Sequence, residues 1–347
     1  MYKKRIKPNV LKPGDKVATV SLSWGGAGEP DIRWRYEIGK KRLETIFGLE
    51  VVEMPHTLSG EVFLYEHPEK RAEDLMMAFK DPEIKGIISC IGGSESIRLL
   101  PYIDYDVIKN NPKIFMGYSD TTIAHLMCFK AGLSSFYGPA LLVDFAENVE
   151  MDAYTVEAIK HTLFDTKPVG KIEPPEHWTS MHLPWLETNK DIRRTYMENE
   201  PYICLQGRGS VSGHLIGGCM EVLEFAKGTS LFPEVSDFEG AILFLETSEE
   251  TPSPDAVEYW LRNYAAMGIL EHLNGIVIAK PYRLEDLPRY LERFKKVLKE
   301  YQLTELPVLA NLSFGHTEPK FIMPYGAIAT IDCDQKTFEI ETAATCE

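Results

Sequence analysis

Short apolar runs, each closed by a turn residue and followed by a helical pattern, recur along this chain and restrict it to few architectures. The run 84–91 is largely apolar and ends on Gly92-Gly93. Residues 16–21 and 49–54 read as further strands, and 114–116 as a shorter one. Between them, 31–47 places Ile32, Tyr36, Leu43, Ile46 and Phe47 at the spacing of one helical face. Helices are also predicted over 69–80, stopped by Asp81-Pro82, and over 121–131. Parallel strands are buried on both faces and need long crossovers, which explains apolar runs alternating with helices. The pattern predicts an α/β fold that begins with a parallel sheet carrying helices on its faces.

The pattern resumes in the second half. Strands are predicted at 210–216, 241–245, 275–279, 308–312 and 327–331, with helices starting at Met220 and over 254–267 and 287–301. The stretch between the halves is different. It holds Pro168, Pro174, Pro175, Pro184 and Pro201, two tryptophans and many charges, and neither period is strong there. It reads as a long connecting segment, a type of loop that is often functional. With 347 residues, two domains are expected at roughly 100–200 residues each. The division is an N-terminal α/β domain over 1–165, a connecting segment over 166–204 and a C-terminal α/β domain over 205–347.

The net charge of −15 argues against partners that need a basic face, which are nucleic-acid polymers and anionic membrane surfaces. It leaves small anionic substrates open, because local charge in a cleft matters more than the total. The six cysteines are scattered, without C-x-x-C or metal spacing. They fit a reducing compartment better than a disulfide framework. No apolar leader or run of the ~20 residues needed to span a bilayer is seen. A soluble, cytoplasmic protein is expected.

Four places could carry chemistry. Gly117-Tyr118-Ser119-Asp120 follows a strand and precedes a helix, the setting of a nucleophile elbow. Thr121 stands where the usual elbow has its second glycine. By itself the tetrapeptide reads more readily as a helix cap by Ser119 or Asp120. Gly92-Gly93 closes the strand before it, where backbone N–H groups can approach a ligand, although a plain turn fits equally. It is not a dinucleotide fingerprint. Glu246 ends the run 241–245, on the edge where open α/β sheets bind ligands. The alternative, a surface charge, suits Glu249 and Glu250 better. His316 follows the strand 308–312 on a turn made by Gly315. Of the nine histidines, His125 reads as helix packing and His214 as part of a strand. No pair has metal-ligand spacing. Ser119, Glu246 and His316 share one property, a place just after an apolar strand. Their order is also one that hydrolases use for nucleophile, orienter and base.

The chain resembles the L,D-carboxypeptidase family of serine peptidases, and within it the microcin C self-immunity branch. The resemblance covers nearly the whole chain. It rests on Leu11-Lys12-Pro13-Gly14-Asp15, Ile91-Gly92-Gly93, 98–104, Gly117-Tyr118-Ser119-Asp120-Thr121-Thr122, Leu215-Ile216-Gly217-Gly218, Phe238-Glu239-Gly240, Leu243-Phe244-Leu245-Glu246 and Gly315-His316. It implies a triad of Ser119 as nucleophile, His316 as base and Glu246 as orienter. It also implies an oxyanion hole at the Gly93 and Asp120 N–H groups, with no metal or cofactor. An active site between two domains and a homodimer follow from the same resemblance. The implied substrate is a small peptide or a peptidyl or aminoacyl nucleotide, bound near Gly92 and stacked on Trp185, or on Trp178 as second choice. The segment 281–285 is a further place that the substrate could reach. Murein tetrapeptide cleavage is the alternative activity within the family. Cys219 departs from the expected Asn after Gly217-Gly218. That departure bears on substrate detail and motivates a third reading, a non-catalytic binding protein with the family fold.

Overall fold

A computed structural model describes residues 4–347. It contains two main sheets. The first has the order Met323–Pro324, Phe136–Tyr137, Ile114–Gly117, Ile84–Ser89, Lys16–Val20, Glu50–Glu53. All its pairings are parallel except the outermost, where Met323 and Pro324 run antiparallel to Tyr137 and Phe136. The second has eight strands in the order Gly170–Lys171, Thr337–Ile340, Ile328–Asp332, Ser210–Cys219, Ala241–Glu246, Gly275–Ala279, Val308–Leu312, Ile203–Gln206. Its four central strands are parallel and its flanking pairs antiparallel. This is the expected α/β architecture. Among the described residues no helix is long and apolar enough to cross a membrane.

The elements form for the reasons that the sequence implies. Every residue of Ala241–Glu246, Gly275–Ala279 and Val308–Leu312 is buried, as parallel strands covered on both faces require. Leu287–Glu300 buries Leu287, Tyr290, Leu291, Phe294, Val297 and Leu298, one stripe at helical spacing. Each such side chain contributes about 1.5–3 kcal/mol on full burial. The helix Thr122–Ala131 leaves only Lys130 outside the core. Its His125 is fully buried between Ser135 Oγ at 2.9 Å and the Gly117 carbonyl at 2.8 Å, and burial lowers its pKa to about 3. It packs, as its helix-face context predicts.

The connecting stretch is more ordered than its composition implies. Gly170–Lys171 lies at one edge of the second sheet and Ile203–Gln206 at the other. His177–Trp178 pairs with Met197–Glu198. Thr179 and Glu318 exchange backbone hydrogen bonds at 2.7 and 3.0 Å. Two-residue strands carry no detectable period, so pattern reading missed them. They hold the stretch across the C-terminal half.

Candidate active site

The site lies where the carboxyl ends of strands from both sheets converge, the usual place for a ligand in an open α/β sheet. Ser119 follows Ile114–Gly117. Tyr118 is extended, then Ser119 takes φ 64° before the helix begins. A positive φ is costly for a residue with a Cβ, and such strain persists where surrounding contacts enforce it. Here the Ser119 N–H donates to the Tyr137 hydroxyl at 3.1 Å, and its carbonyl accepts from Thr122 Oγ1 at 2.7 Å. Neither Ser119 nor Asp120 caps the helix with its side chain. The Asp120 carboxylate is buried and accepts the Ser96 N–H at 2.8 Å.

Gly92 closes the neighbouring strand. A Cβ there would lie 2.7 Å from Ser119 Cβ and 2.8 Å from its Oγ. Only glycine lets this turn sit against the serine. Gly93, exposed beside it, lines the same cavity.

Glu246 ends its strand and is buried. One of its oxygens lies 2.7 Å from His316 Nδ1, and the other accepts a hydrogen bond from the Tyr137 hydroxyl. Burial, then the Glu246 charge, raises the Tyr137 phenol well above its ordinary value, so Tyr137 is the donor. Gly315 permits the approach of the histidine turn, because a Cβ there would lie 2.6 Å from Glu246 Oε2. The His316 ring packs edge-on to Tyr118 at 4.9 Å. Its Nε2 lies 3.0 Å from Glu249 Oε2. Burial alone would lower the His316 pKa, but Glu246 and Glu249, with Glu221 further away, outweigh it and raise it to about 9. No hydrogen bond joins Ser119 Oγ to His316 among the described residues.

A cavity of about 430 Å³ brings together Ser119, Gly92, Gly93, His316 and Trp185. Glu246 lies behind the imidazole, and Asp120 beneath the serine. The two tryptophan candidates separate. Trp178 is buried against Lys280, whose Nζ lies 4.8 Å from its ring centroid. Trp185 is half-buried in the cavity wall, with the Arg35 guanidinium 4.5 Å from its ring and Trp24 at 6.3 Å. From the segment 281–285, Tyr282 lines the cavity. Cys219 does not. It is buried, with its N–H on Thr122 Oγ1 at 3.2 Å and its sulfur 3.4 Å from Glu221.

Sequence reasoning missed several lining residues. Trp24 sits in Ser23-Trp24-Gly25-Gly26, just after the strand Lys16–Val20, a position comparable to those of Ser119 and His316. Glu249, read as a surface charge, is exposed and also lies 3.0 Å from the imidazole. Arg194, which pairs with Glu147 and lies 3.0 Å from Glu318, had no local signal.

These features define a two-sheet α/β protein with a ligand cavity where the strand ends of the sheets meet. The chain belongs to the LD-carboxypeptidase family of serine peptidases. The family's N-terminal domain matches residues 17–138 and its C-terminal domain residues 212–331. Microcin C7 self-immunity protein MccF of Escherichia coli is 33% identical over 290 residues, 82% of each chain. A Bacillus subtilis protein named "Probable murein peptide carboxypeptidase" is 26% identical over 348 residues, 99% of this chain and 97% of that one. Among solved structures, an MccF-like protein from Streptococcus pneumoniae in complex with AMP superposes with a TM-score of 0.87. It is 34% identical, over 95% of this chain and 99% of that one. MccF in complex with glutamyl sulfamoyl guanosine gives 0.84 at 28% identity, over 98% and 99%.

Proposed function

We propose that this protein is a serine carboxypeptidase-type amidase that cleaves an acyl-amide bond of a peptidyl or aminoacyl nucleotide through an acyl-enzyme. The observation that carries the reading is the buried Glu246–His316 pair opening on the same cavity as Ser119. Ser119 is the nucleophile, His316 the base and Glu246 its orienter. His316 Nε2 takes the Ser119 proton as Oγ bonds to the scissile carbonyl carbon. The Gly93 and Asp120 N–H groups hold the oxyanion. The C–N bond then breaks as the imidazolium protonates the leaving nitrogen. Water attacks the ester, gives a proton to His316, and releases the carboxylate as Ser119 regains its hydrogen. The reaction uses no metal or organic cofactor.

The nucleotide end of the substrate lies against the Trp185 and Trp24 side of the cavity. Aromatic faces bind a base. The ligands of the two MccF-type structures support this half of the reading. On this reading the chain divides into a nucleophile domain at 1–165, a connecting segment at 166–204 and a Glu- and His-bearing domain at 205–347, and it acts as a cytoplasmic homodimer. The 26% identity to a murein peptide carboxypeptidase over nearly the full chain favours one second reading, cleavage of murein tetrapeptide.

A fluorophosphonate probe tests the chemistry. Labelling is expected in the wild type and absent in Ser119→Ala. No labelling of the wild type favours a non-catalytic binding protein. Comparing an aminoacyl-sulfamoyl adenosine with murein tetrapeptide tests the substrate, and cleavage of the tetrapeptide alone selects the second reading.

A further inference from the structure

Each ring nitrogen of His316 faces a carboxylate. Nδ1 lies 2.7 Å from Glu246 Oε2, and Nε2 lies 3.0 Å from Glu249 Oε2. Nδ1 is hydrogen-bonded and Nε2 sits at ion-pair distance, and an imidazole held between two carboxylates in this way is an imidazolium. It has no lone pair with which to take the Ser119 proton. In this arrangement the proposed base is occupied by its own chain.

The two carboxylates are held differently. Glu246 ends a strand, its side chain is 1% exposed, and Tyr137 donates to its second oxygen. The Glu249 side chain is 57% exposed, in the loop between Ala241–Glu246 and Pro254–Ala266. Among the described residues His316 is its only ion-pair partner. Glu246 is therefore fixed, and Glu249 is free to leave by side-chain rotation. Its carboxylate also stands where the reacting group must approach Nε2.

The charges around this end of the cavity are unbalanced. His316 is faced by Glu246, Glu249 and, from the helix Met220–Ala226, Glu221. The neutral ring of Tyr118 covers another side, with Lys320 4.0 Å from that ring and already paired with Asp144 and Glu318. Tyr282 lines the same space. Both arginines of the cavity are committed elsewhere. Arg194 serves Glu147 and Glu318. Arg35 donates to the Leu142 carbonyl and Asn148 and stacks on Trp185. An anionic group on the acyl side of the scissile bond would meet carboxylates with no cation to answer them. A cationic group would find Glu249.

We propose that Glu249 is a specificity-determining residue: it leaves His316 when substrate binds, and its freed carboxylate selects substrates that carry a cationic group, such as a free ammonium, beside the scissile amide. Once Glu249 pairs with the ammonium it no longer holds the Nε2 proton in place, and that proton passes to solvent, which leaves the imidazole neutral and able to act as base. The exchange swaps one ion pair for another, so little charge is left uncompensated. The proposal rests on the catalytic reading of Ser119 and His316 given above.

The test uses matched aminoacyl-sulfamoyl adenosines that differ only in a free or an N-acetylated amino group. The wild type is expected to prefer the free amine by at least about tenfold in kcat/KM, the size of one hydrogen bond to a charged group. Glu249→Gln is expected to lose that preference, and the acid limb of its kcat/KM profile to move down by about one pH unit. Glu249→Lys is expected to favour an N-succinylated substrate over the free amine. A wild type without the preference, or a Glu249→Gln variant that keeps it, overturns the proposal whatever the pH profile. Failure of the catalytic reading looks different, because the fluorophosphonate label would then be absent from the wild type or persist in Ser119→Ala.

Discussion

Tyr137 donates its phenolic hydrogen to the carboxylate of Glu246, from a strand of one sheet to a strand of the other. The same oxygen accepts the Ser119 backbone N–H at 3.1 Å. One hydroxyl thus ties the elbow to the carboxylate that holds the imidazole. Tyr137→Phe leaves a buried carboxylate oxygen and a backbone N–H without this partner, each worth about 1–3 kcal/mol. Urea denaturation should show a loss of that size. On the proposed mechanism kcat should fall about ten- to a hundredfold, with KM little changed. A variant with wild-type kcat would separate Tyr137 from the chemistry.

Gly92→Ala places a methyl 2.7 Å from Ser119 Cβ. The elbow must move, and a shift of about 1 Å at a nucleophile can cost about a hundredfold in rate. Fluorophosphonate labelling should slow by about that factor, while stability drops by only about 1–3 kcal/mol.

The two tryptophans should respond oppositely. Trp185→Ala removes a stacking face worth about 1–3 kcal/mol, so the Kd for AMP, measured by calorimetry, should rise about five- to a hundredfold. Trp178→Ala empties a buried site and should cost about 3–5 kcal/mol of stability. The fraction that remains folded should bind AMP as the wild type does.

His316 gives stability a pH signature. Its folded pKa, raised to about 9, lies above the ordinary value of about 6.5. The folded state therefore holds the proton more tightly. The resulting stabilisation is fully present below about pH 6.5 and is lost as pH rises through about 9. The expected loss is roughly 3 kcal/mol, read as a falling unfolding free energy in urea titrations across that window. Glu249→Gln should flatten the slope, and a slope of unchanged size would place the source elsewhere.

Much of this architecture was legible because burial writes itself into composition. The runs at 241–245, 275–279 and 308–312 are apolar, Asn311 excepted, because both faces are covered, and each became a strand within a residue of its predicted ends. Ser119, Gly92, Glu246 and His316 were found by the same logic, since a polar residue or glycine directly after such a run marks a sheet edge. Trp24 obeys that rule and was passed over. Tyr137 could not be read this way. It lies in a two-residue strand, and its role depends on a contact with a residue in the other half of the chain. Glu249 is exposed, as its acidic stretch suggests, but its contact with the imidazole arises only where the fold brings the two together. The connecting stretch hid its order for a related reason: its strands are too short for a period, and their partners are distant in sequence.

The strand Met323–Pro324 has a consequence for biosynthesis. It lies in the C-terminal half, yet it forms the outer edge of the sheet that bears Ser119. A growing chain is made N-terminal end first, so the serine emerges long before the histidine, and that edge arrives later still. A ribosome-bound nascent chain would display the serine on an unfinished sheet, without the histidine that the proposed mechanism assigns as its base. On the proposed mechanism, reactivity is acquired only once residues 316–324 have emerged and folded back, which would spare acyl-amides around the ribosome from the partly folded chain.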